Sequence, residues 1–240
     1  MKNLALFSLM LLMLISCEEL ENPADNSAAS KTSLEILELD NALNILNSSG
    51  ELAMNQVQFK GDLGYDVSIS GTEFPRTLSI DYRDGYSPIE GVTFKGIVHI
   101  NSTDLYSAAQ SMHTMTFEEF HINERLLEGS STTTNQGYAE GSQYPTYGVI
   151  FENGRLSGGD QPVVEFSKES NRTRLDDLEW AINMSSQWET DQMSLQLSSQ
   201  ERLIFNKADQ RITEGLIEIK ISEALTLYWD FEEEKFSFSL

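Results

Sequence analysis

Apolar and polar residues alternate with a period of two along most of the chain after residue 51, and this pattern predicts β-strands. The alternation is clearest near the C-terminus, where Ile217, Ile219 and Ile221 are separated by Glu218 and Lys220. Because successive side chains of a strand point to opposite faces, each predicted strand has one apolar and one polar face. Such strands are typical of an antiparallel sheet that covers a core on one side.

Short turn signals separate the predicted strands. Asn153-Gly154 lies between apolar segments and predicts a hairpin turn, since both residues tolerate a positive φ. Asp84-Gly85 offers a similar turn. We therefore expect a mainly β fold with one N-terminal helix, in which residues 51–240 form an antiparallel sheet or a β-sandwich-like meander of hairpins.

A weak internal repeat accompanies the strands. Thr77–Tyr82 and Thr226–Phe231 both contain Thr-Leu, a large apolar residue, and then Asp followed by an aromatic residue. Duplication of one β-unit would give two similar halves, 51–135 and 136–240. Chance is the alternative, because strands favour these residue types in any case.

One amphipathic helix is predicted over residues 33–50. Apolar residues recur at helical spacing from Leu34 to Leu46, Thr32 or Ser33 can cap the start, and Gly50 can end the helix. We expect this helix to pack on a sheet edge, with a role in binding a partner as the alternative.

The N-terminal segment predicts export and a lipid anchor. Leu4 to Ile15 is apolar apart from Ser8 and too short to span a bilayer, so residues 1–16 are typical of a signal peptide. The ending Leu-Ile-Ser-Cys resembles a bacterial lipobox, which implies cleavage before Cys17 and lipid on its sulfur. Cys17 is the only cysteine of the chain, so it has no disulfide partner. An ordinary secretory signal cut elsewhere is the alternative.

The chain is strongly acidic, with 38 Asp and Glu residues against 16 Lys and Arg residues and a net charge of −22. This charge repels phosphate backbones, so nucleic acid is not an expected partner. It also repels anionic lipid headgroups. Attachment to the membrane would therefore depend on the lipid at Cys17, and stable anchoring requires more than one acyl chain.

Residues 17–32 are polar and small, and they are predicted to form a flexible acidic tether. Glu18 and Glu19 directly follow Cys17, which resembles the surface-export signal of lipoproteins in the Bacteroidetes. We expect a lipid-anchored protein of the bacterial cell envelope, in the outer membrane, with surface display favoured over the periplasmic face.

A longer resemblance covers about two thirds of the mature chain. Phe74–Tyr82, Asp84-Gly85, Gly91–Val98 and Phe117–Gly129 together resemble a phrase found in hypothetical lipoproteins of the Bacteroidetes. The resemblance implies a β-rich, lipid-anchored envelope protein with no established activity. The chain departs from that family in lacking cysteines near the Asp-Gly turn and in having Arg83 where glycine is usual.

Motifs for catalysis and metal binding are absent from the sequence. There is no Gly-x-Ser-x-Gly elbow, and the three histidines, His99, His113 and His121, indicate neither a catalytic triad nor a zinc site. We therefore expect no metal and no cofactor.

Carboxylates are so numerous that a glycosidase pair cannot be identified from sequence. The acidic residues available for such a pair are Glu118, Glu119, Asp176, Asp177 and Glu179.

Aromatic residues are the best candidates for a ligand surface. Tyr138, Tyr144 and Tyr147 lie in a Gly, Ser and Thr-rich segment, 129–148, which is predicted to be a long loop. Trp180 and Trp188 flank another polar stretch. The alternative is that these rings only fill the ends of the sheet.

The sequence thus favours a non-enzymatic, lipid-anchored envelope protein that acts as a binding or scaffold module. Its expected partners are the membrane, through the lipid, and envelope proteins or glycans. A glycan-binding accessory lipoprotein is the first alternative, and a β-sandwich glycoside hydrolase is the second.

Overall fold

The computed structural model describes residues 23–55, 64–139, 141–221 and 225–238. The predicted signal peptide, Cys17 and the first part of the predicted tether lie outside the described residues. Within the described ranges, no helix is both long and apolar enough to cross a bilayer.

The described residues form one helix and fifteen strands. The helix, α1, spans Pro23–Asn55. The strands are β1 (Asp66–Ser70), β2 (Arg76–Asp81), β3 (Tyr86–Ile89), β4 (Val92–Ser102), β5 (Met112–Ile122), β6 (Arg125–Tyr138), β7 (Pro145–Ser157), β8 (Val164–Arg174), β9 (Glu179–Glu189), β10 (Ser194–Ser199), β11 (Leu203–Asn206), β12 (Arg211–Glu214), β13 (Leu216–Lys220), β14 (Thr226–Asp230) and β15 (Lys235–Phe238).

All fifteen strands belong to one antiparallel sheet, which is not closed. The main path runs β1-β2-β4-β5-β6-β7-β8-β9-β10-β13-β14-β15; β3 pairs with β4, and β11 pairs with β9 and β12. The prediction of a mainly β, antiparallel fold with one N-terminal helix is confirmed.

The boundary proposed between two halves, at 135/136, falls inside β6, so the sheet does not divide there. The two similar segments form β2 and β14, each next to a terminal strand of the sheet.

Helix α1 is longer than the sequence pattern predicts at both ends. It begins at Pro23, so residues 23–32 are helical in the structure and not part of a tether. Proline is favoured at the first position of a helix, and the alanines that follow are strong helix formers, so no apolar period is needed there. Gly50 does not end the helix; a Cβ at this position would lie 2.8 Å from Met115 Cε and 3.1 Å from Ile100 Cδ1. The glycine therefore allows the helix to approach β4 and β5 closely.

The helix contacts central strands of the sheet rather than packing on the sheet edge. Its side chains contact β4, β6, β8 and the β11–β12 turn through Met54, Asn47, Asp40 and Asn41, respectively. Apolar residues such as Leu43 join the inward residues of the strands in one core. The expectation of edge packing is therefore wrong, because polar helix residues are buried as well and the apolar stripe does not mark the only buried face.

One predicted hairpin turn is part of a strand in the structure. Asn153-Gly154 forms no hairpin turn; it lies inside β7 as a bulge, with the register against β8 shifting between Phe151 and Gly154. A Cβ on Gly154 would lie 2.5 Å from the Phe166 ring, so the glycine provides room for an inward aromatic side chain. The positive φ expected of Asn153 is present, at 52°, but it serves the bulge.

The segment 129–148, predicted to be a loop, is mostly strand. It contains the greater part of β6 and the start of β7. The inward residues of its β6 part include polar ones that face polar groups: Ser131 Oγ donates to Asn47 Oδ1 of the helix (3.4 Å), and Asn135 Nδ2 donates to the Tyr106 carbonyl (3.2 Å). A strand with polar residues on both faces lacks the apolar alternation by which strands are detected.

Candidate functional site

Several connections lie at one end of the sheet, which we call the loop end. Among them are those that join β1 to β2, β4 to β5, β6 to β7, β8 to β9 and β11 to β12. The last two are held together by a hydrogen bond from the Lys207 amide to the Leu178 carbonyl (2.7 Å). The C-terminal turns of α1 reach the same end, where Ser102 Oγ donates to Met54 Sδ (3.7 Å). The loop end therefore combines side chains that are distant in sequence.

Three aromatic rings pack against one another just inside the loop end. Tyr106 stacks on Tyr147 with ring centroids 4.5 Å apart, and Tyr147 meets Trp180 edge-on at 5.7 Å. Tyr147 and Trp180 are buried, while Tyr106 is half-buried. Burial, together with the nearby Glu51 carboxylate, raises the pKa of Tyr147 to about 12, so its phenol remains protonated at neutral pH.

Charged groups from the helix and the sheet surround these rings. The Arg172 guanidinium lies 5.2 Å from the Trp180 ring centroid, and Lys207 Nζ lies 4.9 Å from it. Lys207 also pairs with Glu51 Oε1 at 3.1 Å. We call Glu51, Tyr106, Tyr147, Arg172, Trp180 and Lys207 the buried cluster.

Arg172 is the least satisfied member of the buried cluster. Its side chain is buried, and neither Nε nor Nη2 has a hydrogen-bond partner among the described residues. Burial lowers the pKa of Arg172, and the neighbouring Tyr106 and Glu51 oppose that shift. Glu51 Oε2 is likewise buried without a partner. Buried polar groups of native proteins are normally bonded, so these atoms point to an interaction with water, an ion or a ligand.

His113 lies beside the buried cluster but is neutral. Its ring is 5.1 Å from that of Tyr106, and its two nitrogens are hydrogen-bonded to Ser102 Oγ (2.9 Å) and Ser111 Oγ (3.1 Å). Burial lowers the pKa of His113 to about 4, against a weaker opposing effect of Asp104. Near neutral pH this imidazole adds no charge to the site, and its bonds to the two serines hold the β4–β5 connection.

The structure brings four of the five predicted ligand-surface residues to the loop end. Tyr147 and Trp180 belong to the buried cluster, so their rings are not exposed platforms. Tyr138 is 66% exposed, and Tyr144 is half-buried with the Arg174 guanidinium 5.2 Å from its ring. Trp188 is at the opposite end of β9.

Trp188 has a structural environment distinct from the loop end. It is fully buried, stacks on Phe166 at 4.5 Å and donates its indole N–H to Ser186 Oγ (2.9 Å). These contacts satisfy both the ring and its polar atom, which is the arrangement expected of a core tryptophan.

Sequence reasoning missed the charged members of the buried cluster. One signal was present in β8, where the inward positions change from Val164 and Phe166 to Lys168, Ser170 and Arg172. Cationic residues at positions that the alternation assigns to the core are rare unless they are paired or functional. Nothing in the sequence pairs Arg172 with Glu51 or Lys207, which come from other elements.

A chain of hydrogen bonds on the outer face of the sheet was also missed. Ser79 Oγ lies 2.8 Å from His99 Nδ1, and His99 Nε2 lies 2.9 Å from Glu118 Oε2. The residue types are those of a hydrolase triad, but Ser79 is in the middle of β2, which pairs with β1 and β4 on either side. The surrounding backbone N–H groups are bonded in the ladders and cannot form an oxyanion hole. The arrangement is therefore a cross-strand polar contact.

The candidate glycosidase carboxylates fall into two separate groups. Asp176, Asp177 and Glu179 lie at the loop end, where Asp176 Oδ1 accepts two backbone N–H groups and Asp177 pairs with Arg174. Glu118 and Glu119 lie in the middle of β5, about 20 Å from the loop end at the usual rise per residue. That separation exceeds the roughly 10 Å that a glycosidase pair can span.

Other depressions lie elsewhere on the described surface. One of about 500 Å³ lies on the outer face between β7 and β13 and is lined by hydroxyl and amide side chains such as Ser185, Gln187 and Gln196. Its aromatic residue, Phe151, is buried and packs inward on Phe166. The depression thus offers hydrogen-bonding groups without an aromatic platform.

Among the residues that the structure describes, no three His, Cys, Asp or Glu side chains are grouped closely enough to hold a metal ion.

Comparison with known proteins gives no relative: no family model, curated protein or solved structure matches this chain.

Proposed function

We propose that this chain is a lipid-anchored, non-enzymatic binding module of the bacterial cell envelope, which holds an amphiphilic ligand at its loop end. The anchor rests on the lipobox-like sequence before Cys17. It predicts that the mature protein begins with an acylated Cys17, which mass spectrometry of the purified amino terminus measures. A mature form that begins elsewhere, without lipid, would contradict the anchor.

The observation that carries the binding role is the concentration of exposed apolar side chains at the loop end. The most exposed are Tyr138 (66%), Leu105 (56%) and Leu178 (54%). We call the full set, which comprises Leu52, Leu105, Met112, Tyr138, Leu175 and Leu178, the apolar rim. Six of the nine large apolar residues exposed in the described part of the chain belong to it. Such concentrations mark ligand or partner sites more often than chance.

The buried cluster gives the apolar rim a polar complement. Arg172 and Lys207 lie next to the Trp180 ring, which meets the Tyr147 ring edge-on. Binding sites for small molecules are typically apolar with a few placed polar groups. A ligand with an apolar part and a polar head therefore fits the loop end better than a uniformly polar one.

Removing apolar side chains from the rim should weaken this binding. We expect the double variant L105S/L178S to bind dodecanoate at least tenfold more weakly than the wild-type chain, because two partly exposed leucines lose contact with the alkyl chain. Isothermal titration calorimetry measures the affinity. The matched control is I150S, since Ile150 is 46% exposed on β7, outside the apolar rim. Equal affinity in all three proteins, or no binding to the wild type, would reject the proposed role of the loop end.

Glycan binding remains a second proposal, supported by the polar depression between β7 and β13. Its hydroxyl and amide groups can bond sugar hydroxyls, whereas stacking would depend on Tyr138 at the loop end. Intrinsic tryptophan fluorescence during polysaccharide titration tests this alternative, and the absence of any saturable response would remove it.

A further inference from the structure

One edge of the buried Arg172 guanidinium has no hydrogen-bond partner among the described residues. The two unpartnered atoms, Nε and Nη2, carry parallel N–H groups that together form the side-on edge of arginine. This edge matches the two oxygens of a carboxylate or a phosphate. The side chain is 4% exposed, so bulk water does not satisfy it.

The same chain shows how this edge behaves when an acid is within reach. On the surface, Arg83 Nε and Nη2 donate to Asp66 Oδ2 (2.8 Å) and Oδ1 (2.6 Å). Arg172 has the same donors, yet no carboxylate of the described residues bonds them. The Glu51 carboxylate, which acts electrostatically on Arg172, is instead paired with Lys207 through Oε1.

The local charge also favours an anion. Arg172 and Lys207 are two cations near one acid, Glu51, which leaves an excess of one positive charge in the buried cluster. Lys168, the other buried cation on β8, is already paired with Asp40 at 2.7 Å. The chain as a whole has a net charge of −22, so the positive excess in the buried cluster is opposite in sign to the charge of the whole chain. Tyr147 adds a protonated phenol beside it.

Two members of the buried cluster, Lys207 and Tyr106, are partly exposed at the loop end. The Lys207 side chain is 22% exposed, and Tyr106 is half-buried in the β4–β5 connection. Lys207 borders the apolar rim through the hydrogen bond from its amide to the Leu178 carbonyl, and Tyr106 directly follows Leu105 in the β4–β5 connection. An acidic headgroup would enter the buried cluster past these two side chains, with its apolar part at the rim.

We propose that the side-on edge of Arg172 binds the carboxylate or phosphate group of the ligand held at the loop end. This inference rests on the proposed function, because the rim supplies the contacts for the rest of the ligand. It also defines the chemical class of that ligand as an acidic amphiphile, with Lys207 as a second cation near the acidic group.

The test uses the full chain in detergent and inorganic phosphate or acetate as the probe. Thermal unfolding is followed during titration, with sodium chloride of equal ionic strength as the baseline, since screening alone shifts the midpoint. We expect a saturable rise of the midpoint in the wild type, as binding to the folded state requires. In R172Q and in R172K the apparent affinity should fall at least tenfold, because lysine keeps the charge but lacks the two-donor edge.

The matched control is R83Q, which removes the same kind of edge at the surface and should leave phosphate affinity unchanged. Circular dichroism verifies that each variant is folded, and R172K provides the test if R172Q does not fold. A wild type without saturable response would show that water alone occupies the edge and would overturn the proposal. The same affinity in wild type and R172K would also overturn it.

Dodecanoate, dodecyl phosphate and dodecanol separate this inference from the proposed function and distinguish the two acids. Preference for one of the acids over dodecanol, lost in R172K, supports the inference and identifies the headgroup. Equal binding of all three compounds by wild type and R172K overturns it while the amphiphile site stands. Phosphate binding that depends on Arg172, without binding of any dodecyl compound, supports the anion site and rejects the proposed function.

Discussion

Replacing Lys168 with methionine is expected to lower the free energy of unfolding by about 3–5 kcal/mol, the usual cost of removing one partner of a buried ion pair. Lys168 Nζ lies 2.7 Å from Asp40 Oδ2 and 3.1 Å from Asn44 Oδ1, and both charged side chains are almost fully buried. Burial lowers the pKa of Lys168, and Asp40 opposes that shift. Without the ammonium group, the Asp40 carboxylate would remain in the core with no compensating charge. Denaturation by urea measures the loss.

Two comparisons show whether the effect comes from the buried charge. The double variant D40L/K168M removes both charges, so it should recover most of the stability lost in K168M. K220M removes one partner of the Lys220–Glu218 pair (2.8 Å), in which the lysine is 52% exposed, and should cost far less stability than K168M. If K168M and K220M were equally stable, the pair would not be a main link between α1 and β8.

The ion pair explains why the position of the helix was not predictable from sequence. Asp40 and Lys168 are 128 residues apart, and no local pattern relates them. The apolar spacing identified the helix correctly, but it suggested a single buried face. Polar residues such as Asn44 and Glu51 are buried too, because the sheet offers partners for them. A helix with partners on several sides does not show one continuous apolar stripe.

The strands were predictable where one face is apolar and the other is polar. The repeats around Ile217 and Leu227 predicted β13 and β14, since alternation is a local property. The alternation is missing from β6, where Ser131 and Asn135 face inward toward polar groups, so the segment resembles a loop. Asn153 was not identifiable as part of a strand, because a left-handed residue suits a bulge as well as a hairpin turn.

The candidate site was predictable in its aromatic part only. Tyr147 and Trp180 stand out by residue type and lie together in the structure. The charged part depends on Glu51 of the helix, Arg172 of β8 and Lys207 after β11, which meet only through the topology of the sheet. Pairing across distant elements is a tertiary property, and composition gave no indication of it, since the chain as a whole is acidic.

Replacing Gly96 with alanine should also destabilise the fold strongly, by about 2–5 kcal/mol from backbone strain and steric overlap together. Gly96 lies opposite a bulge of β5, where the register between β4 and β5 shifts. Its φ is +97°, and a Cβ there would lie 2.2 Å from the Glu119 carbonyl oxygen and 2.8 Å from Phe120 Cα. These are backbone atoms, so relief of the overlap would require separating two central strands. The midpoint of urea denaturation measures the effect.

Gly91 provides a matched control for the strain alone. Its φ is +82°, similar to that of Gly96, but a Cβ there would meet no atom within 4 Å. G91A should therefore cost only about 1–2 kcal/mol, the usual penalty of a left-handed conformation in an L-residue. The difference between G96A and G91A isolates the steric contribution of the bulge. Equal stabilities would mean that β4 and β5 can separate at the bulge without cost, in contradiction to the close packing of Phe94 on Phe120, whose rings lie 5.6 Å apart on the inner face.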